Sequence, residues 1–214
     1  MKNILLFAFA AVFSSSALAV SFKTALSEIK YENTQLFESV TLVNDDKSEV
    51  VMQQVSHGLR KKAVFGLVAV RVYALQLLAA QPDKLVKTDD GILSSLRAAG
   101  PVQLQLSFLR LLPGEKISES FRDGLKANGV DISKLSPEMT QVLNEISQIT
   151  EFKEGEKFSI TFTWNGDRAT VYLTDVKKIV TVSGPELFAN QLLSIWFGKP
   201  ADGKLSELKK ALLK

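Results

Sequence analysis

The sequence contains no cysteine and only one histidine among its 214 residues. The absence of cysteine excludes disulfide scaffolds, cysteine-ligated zinc, iron–sulfur clusters and thiol nucleophiles. A single imidazole, His57, cannot form a multi-histidine metal site, so we expect no metal and no cofactor. The net charge is also small, because 26 Lys and Arg residues stand against 23 Asp and Glu residues. Because the basic residues are spread along the chain, we expect no nucleic-acid partner.

A long apolar run occurs only at the N-terminus. Lys2 precedes an apolar run over residues 4–13, and Ala17-Leu18-Ala19 provides small residues for cleavage. This order is typical of a secretory signal peptide and is too short for a membrane span. A buried N-terminal helix is the alternative. We therefore predict a signal peptide over 1–19, cleavage after Ala19, a periplasmic or secreted location and no stable membrane insertion.

Two periodicities alternate along the rest of the chain, a period of two typical of strands and a spacing of three to four typical of helices. We interpret residues 20–214 as a single domain, and the sequence does not define its oligomeric state. The polar residues 20–34 predict a loose lead-in. The stretch 63–80 is long enough for a buried helix, but its alternating valines favour strands. Alternation predicts further strands over 37–43, 50–56, 102–108, 158–164, 169–173 and 179–182. Spacings of three and four predict helices over 89–98, 117–128, 137–149, 185–198 and 205–213.

The order of these elements indicates the fold class. Asn165-Gly166 is a strong signal for a tight hairpin, and the helices are grouped rather than alternating with the strands. The pattern therefore predicts an α+β fold, a sheet with helices over one face. On the strand over 102–108, the polar residues Gln103, Gln105 and Ser107 would line a cleft or face water.

Three segments of this chain resemble chalcone isomerase-like proteins. The first is Gly58-Leu59-Arg60-Lys61-Lys62 followed by Val72-Tyr73-Ala74-Leu75, the second runs from 102 to 121, and the third is 192–200. The resemblance covers roughly residues 50–213. It implies an open-faced β-sandwich, in which a large antiparallel sheet packs against a layer of helices and the ligand cleft lies between them.

The resemblance to the enzymatic members is incomplete. Their catalytic arginine matches Arg60, but Phe108 and Ile117 stand where the catalytic lysine and tyrosine are expected. The other polar positions fall near Gly124 and Ile195. Since the groups that stabilise a developing enolate are largely missing, we expect no chalcone cyclisation. An isomerase or intramolecular lyase acting on an unknown substrate through Arg60 is the alternative.

The resemblance to the fatty-acid-binding members implies a different role. Those proteins hold a carboxylate between an arginine and a tyrosine, and Arg60 and Tyr73 match both positions. A guanidinium pairs bidentately with a carboxylate, and a phenol adds a further donor. The alternatives are a solvated Arg60, a purely structural Tyr73 and a vestigial cleft in an interaction module. His57 is interpreted as structural rather than as a base. The residues expected to line the alkyl tail are Leu106, Phe121, Leu192 and Trp196.

Overall fold

Eight antiparallel strands pair in sequence order in the part of the chain that the computed structural model describes, residues 20–32, 34–64 and 68–214. The predicted signal peptide and its cleavage site after Ala19 lie outside the described residues. The strands are β1 (Ser21–Tyr31), β2 (Thr34–Val43), β3 (Glu49–Val64), β4 (Val68–Ala79), β5 (Val102–Phe108), β6 (Lys157–Asn165), β7 (Arg168–Thr174) and β8 (Ile179–Pro185). The described parts of the apolar stretch 63–80, in β3 and β4, therefore form strand rather than helix.

Strand β1 corrects the prediction of a loose lead-in. It pairs with β2 from Ser21 opposite Val43 to Tyr31 opposite Thr34, with two register shifts between. Most of its side chains are exposed, and it forms one edge of the sheet. An edge strand with little burial needs no apolar alternation, so its sequence lacks the usual strand signal.

The helices form one layer over the sheet. Ser136 caps the third of them by accepting a hydrogen bond from the amide of Met139 at 3.2 Å, and Pro137 occupies the first position, as the sequence predicts. Their apolar faces pack on alternate residues of β4 to β7, which form the main core with them. The described helices of four residues or more are α1 (Ile92–Ala99), α2 (Gly114–Ala127), α3 (Pro137–Ser147), α4 (Glu186–Phe197) and α5 (Gly203–Leu212).

The opposite face of the sheet is covered by the β1–β2 hairpin. The side chain of Gln76 on β4 accepts from the backbone amide of Phe37 at 3.1 Å and donates to its carbonyl. Phe22 of β1 packs edge-on against Tyr172 of β7, with ring centroids 5.9 Å apart. The ammonium of Lys157 lies 4.1 Å from the Phe37 ring centroid. The sheet is therefore curled, with its first two strands folded over the middle strands.

This covering corrects the expectation that Gln103, Gln105 and Ser107 line a cleft or face water. All three are buried. Gln103 accepts a hydrogen bond from Thr161 at 2.9 Å, and Gln105 accepts one from Ser159 at 2.6 Å. Because the side-chain oxygens of Gln103 and Gln105 both have partners, these two residues form a structural network between β5 and β6. In the described residues, no helix has the length and apolar character needed to cross a bilayer.

Candidate functional site

The strand register brings the two predicted anchor residues together. Arg60 on β3 pairs directly with Tyr73 on β4, and Tyr73 pairs with Phe108 on β5. Directly opposite residues of antiparallel strands project from the same face. Tyr73 belongs to the main core with Leu75 and Leu77, so this is the face that the helices cover.

Arg60 is not a solvated member of a basic run, because it is only 5% exposed. Its Nη1 and Nη2 donate to the two carboxylate oxygens of Asp202 at 2.9 and 2.6 Å, and Nη1 also donates to the Lys61 carbonyl at 2.6 Å. Burial is the largest single influence and opposes the charged guanidinium, but the hydrogen bonds to Asp202 and the electrostatic interactions with Tyr73 and Asp202 together outweigh it and raise the pKa of Arg60 above its ordinary value. The site therefore contains a permanent cation that is already in an ion pair with a carboxylate of the protein.

The partner residue, Asp202, is one that the sequence analysis missed. It is the N-cap of α5, where its side chain accepts from the amide of Leu205 at 2.8 Å. Burial raises its pKa, but the hydrogen bonds from Arg60 and from the backbone amides of Leu205 and Lys204, together with the positive charge of Arg60, outweigh this effect, and the pKa of Asp202 lies below its ordinary value. An aspartate directly before an amphipathic helix is a recognisable capping signal, and it could have directed attention to this position.

Tyr73 is buried with a neutral hydroxyl. Its oxygen accepts a hydrogen bond from Trp196 Nε1 at 3.1 Å, and its ring packs edge-on against Phe108 at 6.1 Å. Burial raises the pKa of Tyr73, while Arg60 and the hydrogen bond from Trp196 partly oppose this shift. Within the described part of the chain, no hydrogen bond from the Tyr73 hydroxyl to an acceptor is found. The phenol is therefore protonated at neutral pH and available as a donor.

Two clefts meet at Arg60 and Tyr73, between the strands β3 and β4 and the helix α2. The polar cleft, of about 380 Å³, extends toward α4 and α5 and includes Asp123, Lys126 and Asp202. The apolar cleft, of about 230 Å³, extends toward the first turn of α2. Its lining is Arg60, Lys62, Val70, Val72, Tyr73, Arg110, Leu112, Lys116, Ile117, Ser120 and Phe121.

The four residues predicted to line the tail lie at different depths. Phe121 on α2 lines both clefts and packs edge-on against Trp196 at 5.0 Å. Leu106, Leu192 and Trp196 are buried in the main core and do not belong to the lining of either cleft. Their role as tail-lining residues stays a prediction.

The remaining candidates are spread over the fold. His57 packs against the Tyr31 ring at 4.6 Å, and its Nδ1 lies 3.3 Å from the amide nitrogen of Gln54. Burial lowers the pKa of His57. Phe108 is fully buried and Ile117 nearly so, and both are hydrocarbon side chains without a transferable proton. His57 is not part of the lining of the two clefts.

The comparisons with known proteins agree with this architecture. The chalcone isomerase-like family matches residues 32–214, and the chain therefore belongs to that family. Among solved structures, 34 chains match. One of them is the fatty-acid binding protein AtFAP1 of Arabidopsis thaliana, with a TM-score of 0.55 and 14% sequence identity over 81% of this chain and 95% of that chain. At this identity the likeness establishes the fold alone. A search of curated proteins found no match.

Proposed function

We propose that this protein binds a fatty acid or a similar amphipathic carboxylate, with the carboxylate at Arg60 and Tyr73. The observation that carries the proposal is the position of these two buried donors, paired across β3 and β4 where two clefts meet. The description of AtFAP1 as a fatty-acid binding protein supports the same choice of ligand class.

The donors that Asp202 leaves unused define the anchor. Asp202 and the Lys61 carbonyl take both hydrogens of Nη1, whereas Nη2 donates to one carboxylate oxygen of Asp202. Among the described residues, the Nε hydrogen, one hydrogen of Nη2 and the hydroxyl hydrogen of Tyr73 have no acceptor and remain for a ligand oxygen. A charged and a neutral donor together suit a carboxylate better than an ester or an alcohol. Because Asp202 already neutralises Arg60, it lowers the affinity of the site for a second carboxylate.

The apolar cleft offers a place for the alkyl chain. Val70, Val72, Leu112, Ile117 and Phe121 line it beside the anchor. Each methylene that such a surface removes from water contributes about 0.8 kcal/mol to binding. The alternative activity, an isomerase or intramolecular lyase, has no comparable support, because Phe108 and Ile117 occupy the positions where the family's proton-transferring lysine and tyrosine are expected.

The test is a calorimetric titration of decanoic acid and its methyl ester into wild type and Arg60 variants. Arg60→Ala is expected to weaken acid binding by about 2–4 kcal/mol, because the carboxylate loses its charged partner. Arg60→Lys retains the charge but not the fork of donors, so it is expected to restore only part of the loss. The ester is expected to bind wild type more weakly and to respond little to either change.

A matched control is Arg71→Ala on the neighbouring strand. Arg71 is an exposed arginine whose Nη1 pairs with Glu32 at 2.5 Å. This variant is expected to bind the acid like wild type. Circular dichroism checks that each variant is folded, and Arg60→Lys keeps the test informative if Arg60→Ala unfolds. Equal affinities for decanoic acid in wild type and in a folded Arg60 variant would contradict the proposed role of Arg60 as the carboxylate anchor.

A further inference from the structure

We propose that the site prefers a single-chain amphiphile with a dianionic phosphate head group, which Lys62, Arg110 and Lys116 bind at the mouth of the apolar cleft. The inference rests on the proposed function in one respect, that an alkyl chain occupies this cleft. It differs in the head group, for which Arg60 and Tyr73 would be a secondary contact.

The charge of the apolar cleft is one-sided. Its described lining includes the cations Arg60, Lys62, Arg110 and Lys116 and no carboxylate. The polar cleft beside it differs, because Asp123 and Asp202 there partly balance its cations. An apolar cleft whose lining carries cations and no carboxylate is complementary to an amphipathic anion.

The three rim cations come from separate elements. Lys62 lies on β3, Arg110 follows β5, and Lys116 lies in the first turn of α2. A basic run on one strand or helix usually serves only as a solvated face, whereas here the fold brings distant basic residues around one opening. Arginine binds phosphate with two parallel hydrogen bonds, and lysine binds it as a point charge.

The ion pairs leave more than one positive charge at this opening. Arg60 is neutralised by Asp202. Lys116 pairs with Glu119 at 2.7 Å, but both side chains are about half exposed or more, so the pair contributes little and is easily exchanged. Among the described residues, no carboxylate lies within ion-pair distance of Lys62 or Arg110. A monocarboxylate would neutralise only one such charge, whereas a phosphate monoester carries about −1.5 to −2.

The volume of the apolar cleft limits how many alkyl chains a ligand can place in it. Its volume of about 230 Å³ is below the range of roughly 300–1,000 Å³ typical of ligand pockets. A single alkyl chain is therefore a better occupant than a lipid with two chains.

The experiment compares decyl phosphate, decanoic acid, decanol and inorganic phosphate by calorimetry on the purified protein. It is run at about pH 8, where a phosphate monoester with a second pKa of about 6 is dianionic. The test variant is Lys62→Gln with Arg110→Gln. The control is Lys84→Gln, an exposed lysine beyond the opposite end of β4.

Decyl phosphate is expected to bind wild type at least about tenfold more tightly than decanoic acid, because it engages additional charged donors. The double variant is expected to lose at least about tenfold for decyl phosphate and much less for decanoic acid, while Lys84→Gln binds both like wild type. Equal affinities of acid and phosphate, or a double variant that binds decyl phosphate like wild type, would overturn the inference.

The other ligands separate the possible failures. Inorganic phosphate that binds as tightly as decyl phosphate would indicate a site for free anions and overturn the inference that the ligand is an amphiphile. Acid binding that depends on Arg60, without any preference for decyl phosphate, overturns this inference and leaves the proposed function standing. If decanoic acid binds no better than decanol, the proposed carboxylate anchor is contradicted. Tight binding of decyl phosphate that depends on Lys62 and Arg110 would still support the phosphate head-group site in that case. A protein that binds none of the alkyl ligands contradicts both.

Discussion

Arg60 and Asp202 are joined by two hydrogen bonds although 142 residues separate them in the sequence. The contact fixes the N-terminus of α5 to β3 at the edge of the proposed ligand site. The same helix packs closely on β3 at Gly58, where an added Cβ would lie 2.7 Å from a methyl group of Leu208 and 2.9 Å from the Cβ of Ala211. One ion pair therefore serves both the packing of α5 and the charge balance of the site.

Replacing Asp202 with asparagine is expected to separate these two roles. Asparagine is about as good an N-cap as aspartate, so the helix start is retained. The buried Arg60 loses its counter-charge, and the free energy of unfolding is expected to fall by about 1–3 kcal/mol, less than the roughly 3–5 kcal/mol typical of a fully buried pair. The affinity for decanoic acid is expected to rise, because no carboxylate competes for Arg60.

Urea denaturation and calorimetric titration of the same Asp202→Asn preparation provide the two measurements. Lys204→Gln, which removes a partly exposed cation from the same helix turn, is the matched control. A variant that loses both stability and acid affinity would show that Asp202 supports ligand binding instead of opposing it.

The stability contributed by Asp202 is also expected to depend on pH. Its pKa in the folded protein lies below the ordinary value, so the folded state favours the charged carboxylate. The contribution is therefore present above the unfolded pKa of about 3.9 and is lost as pH falls through the lower folded value. The difference in unfolding free energy between wild type and Asp202→Asn is expected to be constant near neutral pH and to shrink below about pH 4. A difference that stays constant down to acidic pH would contradict the assignment.

Local sequence signals predicted the central part of the fold. The β6–β7 hairpin turns at Gly166, whose φ of 59° lies in the left-handed region that glycine adopts readily. Asn165 pairs with Arg168 across that turn. The α+β class, the strand character of the described parts of 63–80 and the closeness of Arg60 to Tyr73 follow from equally local patterns or from the family resemblance, which the match over 32–214 confirms.

Features that depend on distant parts of the chain were not predictable in the same way. The row at Gln103 and Gln105 has a normal polar alternation, and only the folding of β1–β2 over the sheet makes it a buried network. Asp202 carried a capping signal, but nothing in the sequence shows that its carboxylate reaches Arg60. The rim of Lys62, Arg110 and Lys116 likewise exists only after three elements meet.

Gln76 is expected to be important for the curl of the sheet. It is 2% exposed, and its side-chain amide bonds both the backbone amide and the carbonyl of Phe37. Gln76→Met keeps much of the shape but leaves two buried backbone groups without partners. The free energy of unfolding is expected to fall by roughly 2–4 kcal/mol. Urea denaturation measures this loss, and Gln53→Met, at an exposed position of β3, is the control. If Gln76→Met and Gln53→Met lose the same small amount of unfolding free energy, the role of Gln76 in the curl of the sheet is contradicted.

Tyr73 combines a structural and a proposed binding role in one hydroxyl group. Tyr73→Phe removes the acceptor for the buried Trp196 indole, and the free energy of unfolding is expected to fall by about 1–3 kcal/mol. It also removes a donor to the ligand, so decanoic acid is expected to bind about 1–2 kcal/mol more weakly while its methyl ester changes little. Trp196→Phe is the matched control, because it removes the indole donor and leaves the Tyr73 hydroxyl in place. Both variants should lose stability in urea, but only Tyr73→Phe should lower the ratio of acid to ester affinity. An unchanged ratio in Tyr73→Phe would assign the hydroxyl to packing alone and leave Arg60 as the whole anchor.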